Sequence, residues 1–274
     1  MSTLTTLIAD VSKLWSKYSG NYINGMKNTL ILALIGTVIG CIIGFVCGIL
    51  QTIPHTKKDP LIKRFFLALI RVVIRVYVEV FRGTPMVLQA VFLYYGLPYF
   101  TNNAARFDSV WGAAILVVSI NTGAYMAETV RGGIMSIDVG QTEGAKAIGM
   151  THTQTMLHVI LPQVLRNILP QIGNNFIINV KDTSVMFIIS FTEFFATHRS
   201  VVGTTFQYFP SATIEMIGYL SMTLIASFIL RWWEKKLDGS DSYTLASADQ
   251  LTPAAGTLNY PGKGSNFDEH HKEG

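Results

Sequence analysis

Residues 28–56 contain no Asp, Glu, Lys or Arg. About 20 apolar residues suffice for a helix to cross the hydrocarbon core of a bilayer, whereas helices of globular proteins average only about 10–14 residues. A stretch this long and this uncharged belongs in lipid. The rest of the chain agrees: 14% of its residues are charged, and its mean hydropathy is +0.38, against about 25% charged in soluble domains. A formal net charge of +4 does not signal nucleic-acid binding here. The basic residues flank the apolar runs, which is how membrane topology is written.

The expected fold is therefore all-α and multi-pass, with five spanning helices over residues 29–53, 109–130, 168–190, 210–232 and a less regular second segment. That second segment, RFFLALIRVVIRVYVEVFRGTPMVLQAVFLYYGLP, carries Arg71, Arg75, Glu79 and Arg82 in its first half and no charge in its second. Its uncharged half is too short to span alone, so the helix must begin upstream and bend near Pro85. Cys41 and Cys47 lie six residues apart in the first span. On a helix that is about 9 Å of rise, beyond the roughly 7 Å a disulfide bridges.

Lys57, Lys58, Lys63 and Arg64 gather between the first two spans, whereas only Arg106 lies in the connection before the third. The first of these sides is expected to be cytoplasmic. Alternation then places the N-terminus outside and the C-terminus inside, in keeping with Arg231, Lys235 and Lys236. Residues 1–24, interrupted by Lys13 and Lys17, read as a short surface helix outside the membrane. Residues 25–236 form the transmembrane domain. Residues 237–274 turn polar and rich in Gly, Ser, Asp and Pro, and are expected to be a disordered cytoplasmic tail. The tail's GTLNYPGKG lacks the spacing and the hydroxyl residue of a phosphate loop, and His270 and His271 lack partners at metal-ligand spacing.

Gly36, Gly40, Gly44 and Gly48 recur every fourth residue of the first span, giving a smooth face for close approach of another helix. A different small-residue segment, DVGQTEGAKAIGMTHTQTMLHVILPQ at 138–163, falls between the third and fourth spans. Asp138 can cap a helix, with Gln141 placed to complete a box. Gly149 suits a left-handed stop. Thr151 with Gln154 repeats the capping signature, opening a second helix up to about Leu161, and Pro162 and Pro170 bend or restart the chain. Gly144, Ala145, Ala147 and Gly149 leave little side chain, so another protein's backbone can come close, with Glu143 as a fixed charge. An amphipathic helix lying on lipid would carry several basic residues opposite aromatics. Lys146 alone is present here, without an aromatic.

The stretch EGAKAIGMTHTQTMLHVILP resembles the EAA loop of ABC-importer membrane subunits, E-A-A-x3-G-x9-I-x-L-P. Glu143, Ala145, Gly149, Leu161 and Pro162 fall on motif positions, with Gly144 in place of the second Ala and Val159 in place of Ile. NGMKNTLILAL, VFRGTP, AETVRGGI and VKDTSV are similar to the polar amino-acid branch, so the resemblance covers most of residues 24–233. It implies the type I importer permease fold and a division of labour. Two permease subunits, alike or different, would be switched between outward and inward openings by a dimer of separate ABC ATPase subunits, which the EAA loops contact. An extracellular binding protein would deliver the amino acid. The chain would be the permease subunit in a bacterial cytoplasmic membrane, not itself an enzyme, and without a cofactor.

Ionisable and amide groups inside spans are costly and mark candidate sites. Asn121, Tyr125 and Glu128 share one face of the third span, and Asn175, Asn179 and Asp182 repeat that spacing on the fourth. These six are candidate substrate contacts, with Asp182 suited to an ammonium group; interhelical hydrogen bonding is the competing reading. Arg82, Gly83, Thr84 and Pro85 are a candidate gate or hinge. The stripe of Arg71, Arg75, Glu79 and Arg82 either lines that gate or snorkels to the interface. A secondary transporter or channel is the alternative function, though no internal repeat of the kind such folds often carry is visible. The histidines form no metal-binding arrangement, and no nucleophile has a base partner, which argues against an enzyme.

Overall fold

The computed structural model describes residues 3–54 and 59–238, and these form helices joined by short turns. Lys57 and Lys58, the GTLNYPGKG stretch, His270 and His271 lie outside the described residues, as do residues 239–274 of the tail expected from 237; residues 237 and 238 end the last helix.

The first helix, α1 (Thr3–Thr52), runs 50 residues without interruption, about 75 Å at 1.5 Å per residue. The separate surface helix expected over residues 1–24 is thus the first part of the same rod as the first span. Packing explains its continuity. Leu14 and Tyr22 are buried in a cluster with Phe194, Val201 and Ile214, so this part of α1 is held by protein over its own length. Gly25 makes the approach possible, since a Cβ there would lie 2.9 Å from the Phe194 Cα.

The glycine stripe of α1 packs against α5 (Val110–Met135). Gly36 meets Val118, Gly40 meets Thr122, Gly44 meets Met126 and Gly48 meets Val130. Both series step by four and rise together, so α1 and α5 run parallel, and the chain must cross back between them. It does so through α2 (Leu61–Gly83), α3 (Met86–Val91), a wide π turn (Phe92–Gly96) and α4 (Leu97–Phe100). Tyr77 donates to the Ile120 carbonyl, whereas Tyr94 stacks on Phe107: rising numbers on one side meet falling numbers on the other. The next long helix, α8 (Leu161–Asp182), also opposes α5, with Asn175 against Met126 and Asn179 against Thr122. The last, α10 (Tyr208–Asp238), packs on α8 and on the short α9 (Phe194–Thr205).

Among the described residues five passes are therefore present, but they do not all look like spans. Three described helices are long and apolar enough to cross a membrane, and the segment His152–Ile189 with Phe194–Thr205, bent by 52°, makes a fourth if taken as one. The α2–α4 pass falls short because its charges are confined to α2 and its apolar part, Met86–Phe100, is short. The break expected at Pro85 is there, with Thr84 extended at φ −123°. Pro162 and Pro170 do not break the chain. Pro162 sits in the first turn of α8 behind a π turn (Met156–Ile160), where Leu161 N–H bonds the Met156 carbonyl five residues back. That wider turn gives the proline ring room that an α turn denies it.

Candidate functional site

One end of the bundle carries an elbow of two short helices, α6 (Val139–Ala147) and α7 (His152–Thr155). Asp138 caps α6 by accepting from the Gly140 N–H at 2.6 Å. The expected reciprocal box with Gln141 is absent, because the Gln141 side chain accepts instead from Gln163 Nε2 at 3.3 Å, tying α6 to α8. Gly149 adopts φ +84°. Around it Met150 N–H bonds the Ala145 carbonyl at 3.0 Å and Gly149 N–H bonds that of Lys146 at 2.9 Å, the paired closure of a Schellman turn. Thr151 and Gln154 then form a true capping box: Gln154 N–H donates to Thr151 Oγ1 at 3.3 Å, and Thr151 N–H to Gln154 Oε1 at 2.8 Å. No residue separates the Schellman turn from this box, so the elbow is stiff.

The elbow buries one side and offers the other. Ala145 and Thr155 are buried within it, whereas Glu143, Gly144, Ala147 and Gly149 are exposed. A Cβ at Gly144 would meet no atom within 4 Å. Ile148 is 80% exposed, and beside it an open depression is lined by Gly149, Met150, Gln154 and His158. Leu161 and Pro162 open α8 behind the elbow and serve as its root.

The two polar stripes find different partners. Asn179 Nδ2 donates to Thr37 Oγ1 at 2.8 Å and Thr122 Oγ1 at 2.9 Å, binding α8 to α1 and α5. Asn175 Nδ2 donates to its own helix at Gln171 and reaches the Met126 sulfur. Asp182 is the last residue of α8 and half-buried, and its carboxylate makes no hydrogen bond among the described residues.

Asn121 has a different partner. Pro85 has no N–H, so the Phe81 carbonyl four residues back loses its helical donor. Gln89 Nε2 at 2.9 Å and Asn121 Nδ2 at 3.2 Å supply the missing donors. Gln89 also reaches the Thr84 carbonyl at 2.9 Å and accepts from Asn121 at 3.1 Å. Just beyond, Arg82 forms an ion pair with Glu128, and its guanidinium lies 5.3 Å from the Tyr125 ring centroid. The face shared by Asn121, Tyr125 and Glu128 thus receives the broken end of α2 and holds the RGTP bend in place.

Between α1, α2 and α5 lies a cavity of about 270 Å³, lined by Gln51, Arg71, Arg75, Val78, Glu79, Arg82, Glu128 and Arg131. It gathers the α2 stripe with the charged end of α5.

Two further polar groups escaped the sequence reading. Gln89 was masked by an apolar run, yet its distance of four residues from Pro85 is the signal. Glu193 is fully buried, caps α9 by accepting from Phe195 N–H at 2.8 Å and Ala196 N–H at 2.7 Å, and accepts from the Tyr219 hydroxyl at 2.8 Å. It pins α9 to α10. Nearby, Ser211 joins Tyr22 at 2.6 Å and His198 at 2.9 Å.

The family described as binding-protein-dependent transport system inner membrane component matches residues 61–239, from the start of α2 to just past the end of α10. The chain belongs to this family. A member of the binding-protein-dependent transport family is a multi-pass inner-membrane permease component, which accounts for the apolar bundle. Among its relatives, the glutamine transport system permease protein GlnP of Escherichia coli K12 is 39% identical over 162 residues, covering 59% of this chain and 73% of that one. The arginine transport system permease protein ArtQ of Bacillus subtilis is 35% identical over 165 residues, covering 60% and 74%. A crystal structure of an amino acid ABC transporter with histidines superposes with TM-score 0.69 at 32% identity, over 81% of this chain and 96% of that one. The MetNI methionine ABC transporter shares the fold at TM-score 0.60 and 18% identity, covering 81% and 96%.

Proposed function

We propose that this chain is the permease subunit of an ATP-driven importer of polar amino acids. It works as one of a pair of permeases with a separate ABC ATPase dimer and an extracellular amino-acid-binding protein. The observation that carries this reading is the elbow: two capped helices, joined by a positive-φ glycine, with Gly144 open to a partner and Ala145 packed inside. A stiff projection transmits displacement from a motor to the bundle, whereas a loose loop would absorb it. The names of the relatives support amino acids as cargo. In this reading the elbow faces the cytoplasm, the N-terminus lies outside and the C-terminus inside. Glu143, Gly144 and Gly149 make the ATPase contact, with Ala145 packed beneath them and the elbow rooted at Leu161 and Pro162. The bend of Arg82, Gly83, Thr84 and Pro85 is the gate element, held by Gln89 and Asn121.

Purification and transport test it together. The permease is expected to co-purify with an ATPase, and uptake into proteoliposomes is expected to need ATP hydrolysis and to persist when ion gradients are collapsed. Uptake driven by a gradient without ATP would instead establish a secondary transporter.

A further inference from the structure

The cavity between α1, α2 and α5 has an unusual charge inventory. Arg82 and Glu128 occupy each other. Arg71 is anchored through its guanidinium to the Ile53 carbonyl at the end of α1. Three lining groups are then left facing the space: Arg75, Glu79 and Arg131. Among the described residues neither Arg75 nor Glu79 has an ion-pair partner, although they lie one helical turn apart. Among the described residues the Arg131 side chain reaches the Met135 sulfur at 3.4 Å, and a thioether is a weak acceptor for a guanidinium.

We propose that this cavity is a binding site for the zwitterionic head group of an α-amino acid, with Arg75 and Arg131 receiving the carboxylate and Glu79 the ammonium. The proposal rests on the importer reading above and names the site that reading lacks. Guanidinium groups offer a planar fork of donors matched to a carboxylate, and a carboxylate is the natural acceptor for an ammonium. Both signs are needed, because a zwitterion brings an ammonium as well as a carboxylate, and Glu79 is the lining carboxylate that Arg82 does not engage. Size is consistent: about 270 Å³ lies just below the usual range for small-ligand pockets, about 300–1,000 Å³. The position matters as well. The site adjoins the RGTP bend, so occupancy bears on the gate through Arg82, which lines the cavity and pairs with α5. Because only the head group is read, the site accepts amino acids of several side chains. The six residues singled out by polar spacing are not its ligands; Glu128 alone of them lines it, and Arg82 already occupies that carboxylate.

The full-length permease in nanodiscs, without binding protein, tests this by thermal shift against the twenty common L-amino acids and inorganic phosphate. At least one amino acid is expected to raise the melting temperature where phosphate does not. Its carboxamide and its N-acetyl derivative are each expected to bind at least tenfold more weakly. Arg75→Gln and Arg131→Gln should weaken the amino acid at least tenfold, with Arg75→Lys partly rescued. Glu79→Gln should weaken the amino acid but not the N-acetyl derivative, which has no ammonium to lose. The ligand-free melting temperature of each variant reports its folding. A shift by phosphate equal to that by the amino acid would mean an anion or headgroup site and would overturn the proposal. Undiminished binding of the blocked derivatives, or no response to any amino acid, would overturn it too. These failures leave the importer reading standing, since ATPase co-purification decides that separately.

Discussion

Gly144→Trp is expected to give a permease that folds at least as well as the parent but no longer retains an ATPase or imports amino acids. A Cβ at this exposed position meets nothing within 4 Å in the chain itself, so a side chain there leaves the elbow on the side offered to a docking partner. Inside a helix glycine costs about 0.8–1 kcal/mol relative to alanine, and tryptophan costs less than glycine, so the substitution itself favours the helix slightly. Stability and function should thus move in opposite directions, which a general folding defect cannot produce. An interface that loses close backbone approach at its centre loses several kcal/mol, and each 1.4 kcal/mol is about a tenfold change. Uptake should therefore fall by about a hundredfold or more. Ala145→Trp provides the contrast: Ala145 is buried within the elbow, so bulk there should destabilise the elbow and lower the melting temperature as well. Co-purification and thermal unfolding of both variants check this.

The second large effect concerns the bundle. Gly44→Leu should prevent accumulation of folded permease in the membrane. A Cβ at Gly44 would lie 2.8 Å from the backbone carbonyl carbon of Met126, and neighbouring positions are as tight, with Gly40 at 2.6 Å from Thr122 Cβ and Gly48 at 2.7 Å from Val130 Cβ. Backbone cannot rotate aside as a side chain can, so α1 would have to move off α5. In lipid, no hydrophobic driving force pulls helices together; association rests on close packing and hydrogen bonds. Overpacking a well-packed core costs about 1–3 kcal/mol, and separation would also strain the bonds from Asn179 to Thr37 and Thr122. Gly20→Leu on the same helix, where a Cβ meets nothing within 4 Å, should be tolerated. Membrane levels and melting temperatures of the two variants measure the difference.

The sequence was most legible where local chemistry governs. Gly149, Thr151 and Gln154 announced the elbow because caps and left-handed turns are decided within a few residues. Pro85 announced the break for the same reason, and the four-residue glycine period announced a packing face without naming α5 as its partner. What escaped depended on who comes near whom. The 1–24 segment looked like a short surface helix because Phe194 and Ser211, which hold Tyr22, lie far along the chain. The face of Asn121, Tyr125 and Glu128 was recognised, but its use required knowing that α2 ends against it. Asn175 and Asn179 shared a face correctly, and that face meets α1 and α5 instead of open space. The cavity drew on α2 charges that had looked suited either to a gate or to the interface. Pro162 looked like a break because periodicity cannot foretell the π turn that accommodates it.

The central claim, that a rigid elbow is gripped by a separate motor, is tested most directly by photo-crosslinking from Ala147, an exposed residue at the end of α6. A photoreactive amino acid at that position, in membranes holding the assembled transporter, is predicted to give an adduct with the mass of permease plus one ATPase subunit. The Gly144→Trp background should suppress it. Adducts with lipid alone, or labelling of this position by an impermeant reagent added outside intact cells, would contradict the account.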